Sequence, residues 1–335
     1  MINVAIVGVS GYTGLELIKI LIDHPKFNIT YVANSQGNTT VSALHPSLDK
    51  VVDMRVGKID IKKISMVSEL VFLALPHKTS MSFAKQLLSL NIKVVDLSAD
   101  YRLNFDTYEK YYCPHEDKAN LKHAVYGLPE FYEDQIKNAK IVANPGCYPT
   151  AILLGLLPFV PYIDPKSNIF IDAKSGLSGA GKKLNEMTTF VNINENIFVY
   201  DIFKHRHSPE IIEKILELTD IQANINFVPT LIPITRGMIV STFATLEDVC
   251  DAKEVLKEFY KDDEFIRIKN EPVNVKNTNG TNFCDIFVEQ KGNALFINSS
   301  IDNLLRGASS QAVVNANIMC GFESNCGIPK ISYVP

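Results

Sequence analysis

Apolar positions in the first 145 residues fall into short runs separated by stretches with helical spacing. Residues 2–8, "INVAIVG", form one such run, followed by the turn "VSGYTG" and then "LELIKILIDH", whose apolar residues recur every three to four positions. That order predicts strand, tight turn and helix. Pro25 stops the helix, and "NITYVA" supplies a β-branched second strand. Further runs at "LVFLALP" and "KVVDLSA" flank a helical stretch near 79–91, so strands and helices alternate as in a doubly wound parallel sheet.

Beyond "KIVANPGC" and the helix that follows it, the pattern changes. "NIFIDAKSG", "NINFVPTLIPI", "MIVSTFATL" and "ALFINSSI" read as strands, with helices at 209–218 and 252–261. An α+β second domain with a mixed or antiparallel sheet is expected, its helices on one face. A last helix at about 306–320 is rich in Ala and Val, and its pattern does not say which domain it joins.

Composition narrows the function classes. A chain of 335 residues suits about two domains. Thirty-three basic and 37 acidic residues give a net charge of −4 with no basic block, which argues against nucleic acid as a partner. The longest apolar run, "AILLGLLPFV", is far short of the roughly 20 residues needed to cross a bilayer, and the start has no secretory signal pattern. A cytoplasmic location is expected. The six cysteines show no CxxC spacing and are expected to be free thiols.

The first turn, Gly8-Val-Ser10-Gly11-Tyr12-Thr13-Gly14, has GxxGxxG spacing directly after a strand and at the head of a helix. Glycines there let the backbone approach a pyrophosphate whose charge the helix N-terminus favours. NAD sites usually carry an acidic residue at the end of the second strand to bond the ribose 2′-hydroxyl. Here no Asp or Glu occurs between Asp23 and Asp49, and "ANSQGNTT", with Ser35, could accept a 2′-phosphate. NADP is therefore expected over NAD.

Cys147 in "NPGCYPTA" follows a strand and opens an apolar helix, so its sulfur stands near a helix N-terminus that favours thiolate. Lowering a thiol pKa by about two units raises thiolate at pH 7 roughly 25-fold, and the accompanying loss of nucleophilicity takes back roughly 8-fold. Activation alone is thus worth about 3-fold, and the site must also place an acyl group and stabilise an oxyanion. Backbone N–H groups of Cys147 and Tyr148, with Asn144, are candidate donors. An acid or base is sought in "HRHSPE", where Ser208 and Pro209 read as N-cap and first helical residue, and where His205 and His207 would point to one side of an extended lead-in. No third His or Cys stands nearby at a zinc-like spacing, and a pair of surface histidines is the plain alternative. Glu210 could orient an imidazole or favour the helix N-terminus. "SGLSGAGKK", containing Ser178, Gly179 and Lys182, "TRGM" with Arg236, and Arg102 at a strand end are candidate anion sites, Arg102 having the alternative of a solvated surface arginine.

"GVSGYTGLELIKIL", "NPGCYPTA", "SGLSGAGK", "HRHSPE", "RGM" and "IDNLLRGASSQAVVNAN" occur in the order found in the N-acetyl-gamma-glutamyl-phosphate reductases, type 1, which the whole chain resembles. The resemblance implies a Rossmann-type α/β domain plus an α+β catalytic and dimerisation domain with a mixed sheet, as in semialdehyde dehydrogenases. It implies NADPH-dependent reduction of an acyl phosphate in arginine biosynthesis, with Cys147 as nucleophile, His205 as acid or base, and His207 and Glu210 beside the substrate with Arg102, Asn144 and Arg236. The glycine loop, Ser35, Ser178, Gly179 and Asn303 would contact NADP. The cofactor domain would comprise 1–146 plus about 306–335, the catalytic domain about 147–305, and the protein would be a homodimer or homotetramer acting on a small molecule. Thr230 stands where members often carry histidine. A carrier-linked aminoadipyl-phosphate reductase of lysine biosynthesis and a non-catalytic NADP-binding regulator are the competing readings.

Overall fold

The computed structural model describes residues 1–247 and 249–333, which divide into two compact units. Among the described residues the first comprises 1–145 and 308–329, the second 146–247, 249–307 and 330–333. The expected cofactor domain ran on to the C-terminus; here the chain leaves the first unit at Lys330, whose Nζ pairs with Glu264, while the Tyr333 hydroxyl meets Arg236.

The first unit holds an eight-stranded sheet. From one edge its strands are Thr39–Thr40, Arg55–Lys58, Phe27–Asn34, Ile2–Val7, Leu70–Leu73, Lys93–Asp96, Ile141–Ala143 and Val125–Tyr126. All neighbours are parallel except the first pair. The central strands are buried on both faces, as the continuous apolar runs require. The order reverses at Ile2–Val7, whose successors in the chain lie on opposite sides of it, and ligands of such sheets bind at that switch point. The helix Ser309–Met319 is buried on every side and belongs to this unit, packing on the helices Tyr12–Leu21 and Pro129–Asn138.

The second unit is a seven-stranded mixed sheet in the order Phe198–Val199, Asn224–Ile232, Asn168–Gly176, Met238–Thr245, Ala294–Ile301, Cys284–Lys291 and Ile266–Ile268. Burial alternates along Asn168–Gly176: Ile169, Ile171 and Ala173 are buried while Phe170 is exposed. Phe170 pairs in register with Phe243, and Phe243 with Phe296, so the outer face carries an aromatic row. The inner face is covered by the helix Cys147–Leu156, buried from Tyr148 to its end and held by Ser299 Oγ donating to Ala151 O and by Tyr260 donating to Leu154 O. Among the described residues no helix is long and apolar enough to cross a membrane.

One buried acid in the first sheet sets a pH dependence. Asp96, at the end of its strand, accepts from Ser80 Oγ, Ser98 N and Ser98 Oγ at 2.5, 3.1 and 2.7 Å. Burial, with the charge of Asp100 adding, pushes its pKa from 3.8 up to about 6, although the serine bonds oppose the shift. A carboxyl that holds its proton more tightly when folded contributes no penalty below its unfolded pKa and a full one above its folded pKa. Asp96→Asn is therefore expected to be more stable than wild type by about 2–3 kcal/mol above pH 6 and to lose that advantage near pH 4. Denaturant unfolding across this range checks it, and a pH-independent difference between the two proteins would refute it.

Candidate active site

The glycine loop connects the first strand to the helix Tyr12–Leu21. Gly8 has φ +100°, and a Cβ there would stand 2.1 Å from Ala74 O; at Gly14 it would stand 2.6 Å from Gly8 O. Backbone packs against backbone at both positions. Gly11, the N-cap of the helix, is different: a Cβ would meet nothing nearer than 3.8 Å. Space is thus left in front of the helix's first N–H groups, where a diphosphate would need it. Two residues that the sequence reading passed over buttress the loop. His45, buried, places Nε2 2.6 Å from Val9 O, and Asn34 Nδ2 donates to Ser10 Oγ at 2.9 Å. Asn34 Oδ1 in turn accepts from Gln36 N and Gly37 N, leaving Ser35 exposed. This amide stands at the end of the second strand, the position of the acidic residue in NAD sites, and its Asx-type turn was the signal in "NSQG".

Arg102 is buried rather than solvated. Its Nε donates to Asn144 O at 2.7 Å and its Nη2 to Leu97 O at 2.9 Å. Asn144 is also engaged: Nδ2 donates to Ala308 O, and Oδ1 accepts from Asn315 Nδ2, both at 3.1 Å. These two residues brace the end of the strand Ile141–Ala143 within the first unit.

In the second unit Cys147 is the first residue of its helix, with Gly146 as N-cap. The first intrahelical bond is Thr150 N to Gly146 O, so the N–H groups of Gly146, Cys147 and Tyr148 precede it, and Pro149 has none. Glu210 Oε1 accepts from Gly146 N at 2.9 Å. Glu210 is 1% exposed and lies in the first turn of the helix Ser208–Thr219, so this bond fastens the histidine segment to the cysteine helix. Any side chain at Gly307 would place its Cβ 2.6 Å from Cys147 Cβ, which makes Gly307 the other wall of the thiol.

The histidine segment is not an extended lead-in. Residues 205–208 form a turn closed by Ser208 N donating to His205 O at 2.9 Å, with His207 as N-cap, Ser208 first in the helix and Pro209 second. Sequence spacing could not show this because Pro is favoured throughout the first helical turn. The two imidazoles still meet, their centroids 4.8 Å apart, and His207 N donates to His205 Nδ1 at 3.1 Å. The phenol rings of Tyr148, which sequence had offered only for its N–H, and of Tyr200, absent from the sequence reading, complete the cluster: their hydroxyls are 3.2 Å apart, and each ring lies edge-on to His205. Burial raises both phenol pKa values, that of Tyr200 to about 12. His205 moves the opposite way, pulled down to about 4 by burial and by the charge of Arg206, with Asp201 opposing. Among the described residues no group of three or more His, Cys, Asp or Glu could hold a metal ion.

Ser178, Gly179, Arg236 and Asn303 form a further cluster in this unit. Asn303 Nδ2 donates to Ser178 Oγ at 3.0 Å, and its Oδ1 accepts from Gly237 N at 2.8 Å. A Cβ on Gly179 would lie 3.7 Å from Asn303 Nδ2. Arg236 Nε is 3.1 Å from Asp302 Oδ2, and its Nη1 donates to the Tyr333 hydroxyl, so its guanidinium ties two chain segments together. Lys182 is exposed, and Thr230 is buried in the strand Asn224–Ile232.

The glycine geometry separates two kinds of substitution. Gly8→Ala is expected to cost at least about 2 kcal/mol, because a left-handed backbone and a carbonyl clash act together. Gly11→Ala should unfold within about 1 kcal/mol of wild type and yet bind dinucleotide at least about tenfold more weakly, since its methyl enters the space before the helix. Unfolding curves and a fluorescence titration with NADPH check both; unchanged affinity in Gly11→Ala would remove the loop from the cofactor site.

Comparison with known proteins places this geometry in context. Residues 3–139 match the family described as semialdehyde dehydrogenase, NAD binding domain, and residues 147–303 match semialdehyde dehydrogenase, dimerisation domain. The N-acetyl-gamma-glutamyl-phosphate reductase of Sulfurovum sp. is 58% identical over 335 residues, 100% of each chain. That of Wolinella succinogenes is 56% identical over 100% of this chain and 99% of its own. Among solved structures, aspartate semialdehyde dehydrogenase II of Vibrio cholerae has a TM-score of 0.73 at 15% identity, over 96% of this chain and 98% of that one. The Candida albicans aspartate semialdehyde dehydrogenase, solved with NADP, has a TM-score of 0.72 at 13% identity, over 97% and 99%. At such identity the last two likenesses are likenesses of fold.

Proposed function

The chain belongs to the N-acetyl-gamma-glutamyl-phosphate reductase family and is a reductase of that acyl phosphate in arginine biosynthesis; we propose that it works with NADPH through a thioester on Cys147. The observation that carries the mechanism is the seating of Cys147 at the first turn of a buried helix, walled by Gly307 and fastened to the histidine turn by Glu210.

The Cys147 thiolate attacks the C5 acyl carbon of the acyl phosphate, the bond from that carbon to the phosphate oxygen breaks, and phosphate leaves. The N–H groups of Cys147 and Tyr148, which lie ahead of the first intrahelical bond, are the donors for the tetrahedral oxyanion. NADPH, when bound, supplies the hydride that reduces the thioester carbon. The tetrahedral oxyanion that results collapses: its carbon–oxygen double bond re-forms, the carbon–sulfur bond breaks, and the 5-semialdehyde and the Cys147 thiolate are released. Support for NADPH over NADH comes from Asn34 and exposed Ser35 at the end of the second strand, where no carboxylate would repel a 2′-phosphate. The loop Gly8–Gly14 would hold the diphosphate; Ser178, Gly179 and Asn303 are proposed as cofactor contacts, and Arg102, Asn144, His207, Glu210 and Arg236 as substrate contacts, each within its own unit.

The reverse reaction tests this without the labile acyl phosphate. Wild type is expected to reduce NADP⁺ in the presence of N-acetylglutamate 5-semialdehyde and phosphate, with Cys147→Ala at least about 10⁴-fold slower. A Cys147→Ala variant within tenfold of wild type would end the covalent mechanism, and equal efficiency with NAD⁺ would end the cofactor assignment.

We also assign the second unit a homo-oligomeric contact. Between the Ser178 loop and the histidine turn the chain exposes Leu184, Phe190, Val191, Ile197 and Phe203, with Phe190 76% and Val191 86% exposed. The segment carries both Lys182 and Lys183 and the acids Glu186, Glu195 and Asp201, a mixed charge that suits a second copy of the same chain. Phe190→Glu combined with Val191→Glu is expected to shift sedimentation toward monomer by more than a tenfold change in dissociation constant; an unchanged profile would remove this segment from the contact.

A further inference from the structure

We propose that Lys58 is the cation that binds the 2′-phosphate of NADP, and so the residue that sets the chain's preference for the phosphorylated dinucleotide. The inference rests on the reading of NADPH as the cofactor, and it names the positive charge that this reading requires.

Neutrality at the end of the second strand means that a 2′-phosphate is not repelled, but it supplies no attraction. Residues 34–48 contain neither Lys nor Arg, so the turn "NSQG" and the residues after it offer hydroxyls and amides but no fixed positive charge. A phosphate monoester carries nearly two negative charges at pH 7 and is held best by charge-assisted bonds. A cation must therefore come from another part of the chain.

The first sheet brings one to the right edge. The strand Arg55–Lys58 runs parallel to Phe27–Asn34, and the two pair only at their last residues, Ala33 with Gly57 and Asn34 with Lys58. Lys58 thus ends its strand beside the residue that ends the second strand, on the carboxyl edge where ligands of such sheets bind.

The backbone of Lys58 is held from two further sides. The Tyr31 hydroxyl donates to Lys58 O at 2.8 Å, and a side chain at Gly57 would run into the Tyr31 ring. Above it lies the turn: Gly37 has φ +67°, and a Cβ there would stand 2.6 Å from Lys58 N and 3.1 Å from its Cα. This is the turn that Asn34 Oδ1 fixes through Gln36 N and Gly37 N, with Ser35 left exposed. One braced piece of backbone therefore presents both the Ser35 hydroxyl and the Lys58 side chain. That side chain is exposed, and none of the carboxylates among the described residues pairs with its ammonium. A flexible four-carbon stem on a fixed backbone suits a point charge that must reach a phosphate.

The other charges of this region are placed differently. Arg55 begins the same strand, paired with Thr40, three residues or roughly 10 Å toward the amino edge. Lys63 Nζ lies over the Tyr31 ring, 5.4 Å from its centroid. Asp60 caps the helix Ile61–Val67, its Oδ1 accepting from Lys63 N at 3.1 Å.

Titration with two cofactors isolates the subsite, because NADPH and NADH differ only in the 2′-phosphate. Wild type is expected to bind NADPH more tightly than NADH by fluorescence titration. Lys58→Ala should weaken NADPH binding about tenfold and NADH binding by less than about twofold, and Lys58→Arg should keep NADPH affinity within about threefold of wild type. The loss in Lys58→Ala should shrink as salt rises from about 0.05 to 0.5 M. Arg55→Ala, which removes a charge from the amino end of the same strand, should leave both affinities within about twofold. Equal weakening of the two cofactors by Lys58→Ala would make Lys58 a support of the turn and overturn the proposal, as would unchanged NADPH affinity or an equal loss in Arg55→Ala. A wild type that binds NADH as tightly as NADPH would overturn the cofactor reading and this assignment together. A wild type that prefers NADPH, with an indifferent Lys58→Ala, would overturn the assignment alone.

Discussion

The bond from Gly146 N–H to the Glu210 carboxyl is the constraint on which the second unit's site depends. It joins the N-terminus of the cysteine helix to the first turn of the histidine helix, 64 residues apart, through atoms shielded from water. A buried donor deprived of its acceptor costs about 1–3 kcal/mol, so the two helices are not free to separate cheaply. The same bond takes up one of the donors that the helix end would otherwise present. Of the groups at this helix end, Gly146 N–H is committed to Glu210 and Pro149 contributes none.

A second constraint reaches the thiol from the far end of the unit. In "IDNLLRG", Asp302 holds Arg236 and accepts from the N–H groups of Gly280, Leu304 and Leu305, Asn303 clasps the Ser178 loop, and Gly307 abuts Cys147. The segment follows the strand Ala294–Ile301, whose Ser299 fixes the cysteine helix at Ala151. Strand, turn and helix are thereby set as one piece, and the absence of a side chain at Gly307 permits the close approach.

On the nucleotide side the loop depends on two different things. Gly8 and Gly14 are demanded by the packing of backbone on backbone, whereas Gly11 is demanded by nothing in the protein and leaves room outside the helix end. His45 and Asn34 then hold the loop's outer wall, one through Val9 O and the other through Ser10 Oγ. Asn34 thus joins the shape of the glycine loop to an uncharged end of the second strand.

Local pattern was enough to read the strand-turn-helix that opens the chain, the change from alternating to strand-rich organisation after Cys147, and the helix that Cys147 begins, because each depends on periodicity, glycine and proline within a few residues. The motif order was likewise legible, and with it the family. The state of the polar groups was not. Arg102 could be a surface arginine by sequence, and only the approach of Asn144 O and Leu97 O makes it a buried brace. Tyr200 had no marker in "FVYDIF", since its role comes from Tyr148, 52 residues earlier in the chain. His205 and His207 were found as a pair, but their turn and their unequal burial were decided by packing. Local spacing fixes which elements form; desolvation and hydrogen-bond partners, which set protonation and donor availability, arise only when distant segments meet.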